Sequence, residues 1–262
     1  LAPLNPLAWS PLFAILLMTL AWAVQRRTGD AGIVDVAWAG GIGMLACAYA
    51  LTGSGLGERR LLVGLLGATW SLRLASYLFI DRIRADAEDG RYQMLRQRWA
   101  ERAPFYFFLF FQAQALLVIV FSLPFFLAVQ NPAPLSLWDG LGLALFAIAL
   151  LGESLADRQL GHFRRAPQNH GQTCRIGLWR YSRHPNYFCE WLHWWTYVPI
   201  AFSAPWGMLS LAGPIAMLYL LFFVTGIPYT EKQALKSRGD DYRTYQKSTS
   251  AFFPWFPRKE AP

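Results

Sequence analysis

Charge is scarce in this 262-residue chain, where only 15% of residues are Asp, Glu, Lys or Arg, against about 25% in an ordinary soluble domain. Cysteine is scarcer: three residues exclude a disulfide scaffold. None of them forms the close pairs that a cysteine zinc site needs, so no metal is expected. No repeat of fixed period and no low-complexity tract is present. What abounds is apolar: 55% of residues are hydrophobic, and 19 Phe, 12 Trp and 11 Tyr exclude disordered and fibrous classes. The net charge of +8 raises the possibility of nucleic acid, which the placement of the cations decides.

Seven apolar stretches have the length that crosses about 30 Å of hydrocarbon. They lie near Trp9 to Gln25, Ala31 to Thr52, Leu61 to Ile80, Pro104 to Gln130, Leu137 to Ala156, Tyr187 to Ser203 and Trp206 to Pro228. The first is long enough to span and reads as a span, not a cleavable signal. Of the 24 basic residues, 21 fall on one side: Arg26 and Arg27, six from Arg82 to Arg102, six from Arg158 to Arg183, and seven after Pro228. The other side receives Arg59 and Arg60, and Arg73 lies inside a span. This is the positive-inside pattern. It predicts an all-α polytopic membrane protein, a single domain over 1–262, with the N-terminus outside and the C-terminus cytoplasmic, as in a bacterial inner membrane. The cations are thereby explained without nucleic acid, and no obligate protein partner is evident. Short cytoplasmic helices and loops are left to cap a pocket.

Ionisable residues inside a membrane are expensive and mark function. Asp35, near the start of the second span, either pairs with Arg73 or supplies a proton at membrane level. Glu153 and Asp157 share a helical face at i, i+4, so something positive should lie between them, Arg158, Arg164 or Arg165, or else a ligand hydroxyl, unless both are solvated among headgroups. The run Arg180-Tyr-Ser-Arg-His-Pro-Asn-Tyr-Phe-Cys-Glu190 is the most informative. Pro185 suits a first helical turn, and Arg180, Arg183 and His184 beside that helix N-terminus make an anion site for phosphate or carboxylate, or for lipid headgroups. Glu190, one turn on, wants a hydrogen-bond donor. The segment from Tyr229 to Phe256 reads as one amphipathic helix that either lies on the membrane or closes over the anion site. Glu88 to Tyr92 is either a solvated turn or a lid contact. Gly41-Ile-Gly43-Met-Leu-Ala46 imitates a dinucleotide fingerprint, but inside a span its small residues predict close helix packing.

Gly177-Leu-Trp-Arg-Tyr-Ser-Arg-His-Pro-Asn-Tyr-Phe-Cys-Glu190, then Glu231-Lys-Gln-Ala-Leu-Lys-Ser-Arg-Gly, Tyr242, Tyr245 and the terminal Phe-Phe-Pro together resemble the steroid 5-alpha-reductase superfamily over nearly the whole chain. The resemblance is to its bacterial membrane branch of unknown function. The Arg-His-Pro-Asn-Tyr stretch is also similar to sterol C14-reductases and, more distantly, to isoprenylcysteine carboxyl methyltransferases.

The resemblance implies NADPH entering from the cytoplasmic side and a lipophilic, conjugated substrate, steroid- or isoprenoid-like, among the membrane helices. It implies that Asp157, Arg164, Arg165, Asn169, Arg175, Tyr181, Arg183, His184, Asn186, Tyr187, Glu190, Glu231 and Tyr242 serve the cofactor, with arginines on its phosphates. Asp35, Trp70 and Tyr92 are the expected catalytic side chains. Asp35 takes approximately the place of a catalytic Glu, while Trp70 stands where relatives have Tyr. Glu153 replaces an Asn, Cys189 a Gly, and Gly226 and Thr230 an Arg and an Asp. The expected reaction is hydride transfer with a protein acid. The rivals are an S-adenosylmethionine-dependent methyltransferase and a non-enzymatic lipid-binding protein.

Overall fold

A computed structural model describes residues 6–83 and 88–258. Arg84 and Lys259, counted above among the basic residues, lie outside the described residues. All regular structure among the described residues is helical. The chain divides into two compact units, Leu1–Ser136 with Ile200–Ala212, and Leu137–Pro199 with Gly213–Pro262.

The first unit contains α1 (Pro6–Thr28), α2 (Ile33–Thr52), α3 (Gly57–Leu78), the short α4 (Gly90–Trp99) and α5 (Ala103–Val129). Helices α2 and α3 approach closely because small residues line their seam. A Cβ on Gly67 would stand 2.6 Å from Ala46 Cβ, one on Gly64 would stand 2.7 Å from Ala50 Cβ, and one on Gly43 would overlap Ser71. The stretch resembling a dinucleotide fingerprint is thus a packing surface. Ser71 Oγ reinforces it by donating to the Ala39 carbonyl at 2.9 Å.

Outside the seam the helices are apolar outward. Leu12, Leu16 and Leu20 form an exposed row on α1 at i, i+4, i+8, the arrangement of a face turned to lipid. Arg59 and Arg60, isolated in sequence from the other cations, are absorbed by helix ends. Arg60 donates from Nε to the Ala50 carbonyl at 2.8 Å and from Nη2 to that of Leu51 at 2.6 Å, closing the C-terminus of α2. Arg59, only 1% exposed, donates to the carbonyls of Asn131, Ala133 and Pro134 just beyond α5. Carbonyls at a helix C-terminus lack internal partners and attract cations.

The second unit contains α6 (Leu137–Arg165) and α7 (Pro185–Trp195). The chain continues through α8 (Tyr197–Ala201), α9 (Ala212–Tyr219), α10 (Ile227–Arg238) and α11 (Asp240–Ser248). Gly152 of α6 lets α7 approach, for a Cβ there would stand 2.7 Å from Cys189 Sγ.

Two expectations are corrected here. Among the described residues six helical segments, not seven, are long and apolar enough to cross a membrane, the last of them Gly207–Arg238. The stretch from Tyr187 to Ser203 is divided at Thr196 into α7 and α8, and Pro199 has no N–H to bond back to the carbonyl one turn earlier. The stretch from Trp206 to Pro228 is not one helix either: α9 passes into a π-helical turn, Leu220–Val224, and bends at Thr225–Gly226. The segment from Tyr229 to Phe256, expected as one helix, is two, broken at Gly239, whose φ of +55° suits glycine.

Candidate functional site

In the second unit, α7 opens with Pro185, and the loop before it is held by residues C-terminal to α10. Ser182 Oγ donates to the Phe252 carbonyl at 2.8 Å, the Arg183 amide to the Ser250 carbonyl at 2.8 Å, and the Trp255 amide to the Tyr181 carbonyl at 2.9 Å. Tyr245, 2% exposed, donates its hydroxyl to the carbonyls of Trp179 and Ser182. Helix α11 therefore sits against the Arg180–His184 loop.

The centre of this arrangement is the Glu231 carboxylate on α10. Oε1 accepts from Arg183 Nε at 2.7 Å and lies 3.3 Å from His184 Nε2 and 3.4 Å from the Tyr242 hydroxyl. Oε2 accepts from Gln246 Nε2 at 2.8 Å. Arg183 also donates from Nη1 to the carbonyls of Gln246 at 3.0 Å and Thr249 at 2.6 Å. Burial pushes the His184 imidazole below its ordinary pKa, opposed by the Glu231 carboxylate. The ring stacks on Tyr187 with centroids 5.2 Å apart, and Tyr187 Oη meets Thr230 Oγ1 at 3.1 Å.

Asn186 and Asp157, 29 positions apart, are joined: Asn186 Nδ2 donates to Asp157 Oδ1 at 3.2 Å. Where a cation was expected on this face, Asp157 takes a neutral amide N–H from α7. Asn186 Oδ1 accepts the Tyr187 amide at 3.0 Å, so that amide of the first turn is taken by the protein. Glu190 finds its donor in Trp194 Nε1 at 3.1 Å. Arg175 is paired with Asp241 at 2.7 Å. Arg165 is exposed on the last turn of α6, and Tyr181 packs its ring on Phe256. Arg164 and Asn169, with Leu160, Phe163, Arg238 and neighbouring residues, line a cavity of about 360 Å³. Asn169 Nδ2 donates to the Phe163 carbonyl at 2.9 Å.

In the first unit, Asp35 stands in the first turn of α2. Its Oδ1 accepts from the Tyr92 hydroxyl at 2.7 Å and its Oδ2 from Arg91 Nη2 at 3.2 Å. The local sequence places both donors. Asp89 caps α4 by accepting the Arg91 amide at 2.8 Å, and Glu88 accepts from the Ala31 amide at 2.9 Å and from Arg96 Nη2 at 2.7 Å. The segment Glu88–Tyr92 is therefore docked on the α1–α2 turn and not solvated, and Tyr92 is 3% exposed. Trp70 is fully buried, edge-on to Trp38 at 6.0 Å. The Nε1 of Trp38 is buried with no hydrogen-bond partner among the described residues.

Sequence reading missed Arg91 as a partner of Asp35, and it missed Trp38. Both had a signal: Arg91 adjoins Tyr92 behind an Asp cap, and Trp38 follows Asp35 at i+3 on one helical face. Among the described residues, no group of three or more His, Cys, Asp or Glu is arranged to hold a metal.

Leucine-faced helices long enough to span, with buried polar clusters at their ends, define an integral membrane protein. The chain belongs to the family described as "Protein of unknown function (DUF1295)", which matches residues 21–249 and is in the steroid 5-alpha-reductase-like group. It is similar to the uncharacterized protein C594.04c of Schizosaccharomyces pombe, 26% identical over 286 aligned positions that cover 95% of this chain and 80% of that one. No solved structure matches the chain.

Proposed function

We propose that this protein is a membrane-embedded, NADPH-dependent reductase that transfers hydride to a conjugated lipophilic substrate. The observation that carries the reading is the 2.7 Å bond between the Tyr92 hydroxyl and Asp35. Relatives place a Tyr where this chain has Trp70, and indole offers only an N–H. Tyr92 returns a phenol to the carboxylate from a different helix. Family membership, in a group linked to reductases, supports the same reading.

The residues of the second unit fit a nucleotide. Asn186 keeps one amide N–H beyond the one given to Asp157, and Arg164 faces a cavity whose lining contains no carboxylate. Asn186, Glu190, Arg164 and Arg165 are the residues that would hold the cofactor. Arg175, Tyr181, Arg183, His184, Tyr187, Glu231 and Tyr242 build the frame that orients them. NADPH held by these residues would supply the hydride that an electron-poor carbon accepts. The single O–H of Tyr92, donated to Asp35 in this structure, would turn to a substrate oxygen as charge develops there, while Asp35 keeps its Arg91 partner at 3.2 Å. Arg91, whose guanidinium lies 5.3 Å from the Tyr92 ring centroid, offsets the negative charge that gathers there. The arginine-rich side is placed in the cytoplasm by the positive-inside rule, and the membrane is taken to be a bacterial inner membrane.

Thermal-shift measurements on the detergent-solubilised protein test this with NADPH, NADH and S-adenosylmethionine. NADPH stabilises, and Asn186→Ala removes the shift. Stabilisation by S-adenosylmethionine alone overturns the reading in favour of methyl transfer, a reaction that needs no protein acid. Silence with all three leaves headgroup binding in its place.

A further inference from the structure

The cavity of about 360 Å³ is built by the last turn of α6 (Leu160, Phe163, Arg164), the loop at Asn169–Cys174, and the end of α10 (Ser237, Arg238). Its only permanently charged lining residues are Arg164 and Arg238, near enough to repel one another. Among the described residues, neither guanidinium makes an ion pair. Arg238 Nε is buried with no hydrogen-bond partner, while its guanidinium lies over the Tyr242 ring at 4.9 Å. The acid close by, Asp241, is committed elsewhere: Oδ1 to Arg175 at 2.7 Å and Oδ2 to the Thr173 amide at 2.7 Å.

A buried unsatisfied N–H and two adjacent like charges both cost stability, and an anion relieves both at once. Carbonyls at a helix C-terminus account for one cation in a last turn. They do not account for two guanidinium groups lining one cavity, or for the unsatisfied Nε. Tyr242 fixes one guanidinium by stacking, leaving its edge for an acceptor.

We propose that Arg164 and Arg238 bind a phosphate ester in this cavity. The volume accommodates the phosphate with an attached ribose or glycerol, so the bearer is either a nucleotide carrying a ribose phosphate or a phospholipid headgroup. Arg164 and this cavity belong to the cofactor residues named above, so with NADPH as bearer the proposal rests on the reductase reading, and with a lipid as bearer it does not.

The test uses the full-length protein in detergent, titrated with adenosine 2′-phosphate against adenosine, and with phosphatidic acid against phosphatidylcholine in mixed micelles. The phosphorylated member of at least one pair binds more tightly. Arg164→Gln and Arg238→Gln each weaken that binding by about tenfold or more, while Arg238→Lys retains part of it. Competition between adenosine 2′-phosphate and NADPH identifies the cofactor as bearer. A response to phosphatidic acid that NADPH leaves unchanged identifies a lipid. Absence of any phosphate preference in the wild type, or full affinity in the Arg164→Gln/Arg238→Gln double variant, overturns the proposal. Should Arg238→Gln fail to fold, Arg164→Gln on the other helix and Arg238→Lys decide the same question. Phosphate binding without any NADPH binding removes the reductase reading and leaves this site intact.

Discussion

Replacing Arg183 with Met deletes three hydrogen bonds and strands their acceptors. Glu231 Oε1 loses a 2.7 Å charged partner, and the carbonyls of Gln246 and Thr249 lose donors at 3.0 and 2.6 Å. The Arg183 and Glu231 side chains are only 11% and 15% exposed, so the pair is close to the buried limit. Breaking such a pair from one side costs about 3–5 kcal/mol. The lower end applies, because Gln246 Nε2 still reaches Oε2 at 2.8 Å. About 3 kcal/mol corresponds to a fall in Tm of roughly 6–12 °C for a chain of this size. Glu231→Gln keeps an acceptor for Arg183 but sets an amide N–H against Gln246, and costs less. The assay is a double-mutant cycle of Arg183→Met and Glu231→Gln followed by thermal unfolding in detergent, with and without NADPH. Coupling of about 2 kcal/mol is expected, and it should be equal in both conditions. An Arg183→Met protein as stable as wild type that has lost only NADPH binding would refute the assignment of this arginine to the frame.

Three other outcomes are expected from the geometry. Tyr92→Phe and Asp35→Asn should each reduce reductase turnover by about a hundredfold or more while leaving NADPH binding unchanged, which steady-state rates and cofactor titration separate. The depressed pKa of His184 means that the folded state binds fewer protons than the unfolded chain. Its contribution to stability is therefore complete above about pH 6.5 and declines as pH falls toward the folded pKa; His184→Gln should flatten a Tm-against-pH curve in that window. Gly67→Val forces a side chain into Ala46 and Phe125, and should destabilise the protein by about 1–3 kcal/mol, read as a lower Tm with no change in cofactor selectivity.

The spanning helices were legible because length and apolar composition are local properties. Helices α1, α2, α3, α5 and α6 lie where the apolar runs lie. The division of the sixth stretch at Thr196 was not, since apolar residues such as Tyr197, Val198 and Ile200 continue past it and only Pro199 hints at a break. At the site, Asn186 and Asp157 were each expected at the cofactor, but their hydrogen bond to one another was not legible, because 29 positions separate a helix start from the face it meets. Arg183 and Arg175 were read as phosphate ligands because sequence displays a charge but not its partner. Glu231 and Asp241, which hold them, come 48 and 66 positions later. Tyr92 and Asp35 are 57 positions apart, and no periodicity connects a span to the helix that docks on its turn.

Glu231 and α11 also set a time order. The Arg180–His184 loop leaves the ribosome before the residues that hold it, and Glu231 follows Arg183 by 48 positions. At about 5–20 residues per second that is an interval of roughly 2–10 s. During it, Arg183 and His184 have no carboxylate, and the Trp179 and Ser182 carbonyls have no Tyr245. The last-made segment must reach back across α9 to complete what the earlier segment began. A nascent chain arrested before Gly239 would therefore carry its spans inserted and the loop before α7 unheld, a target for membrane quality control.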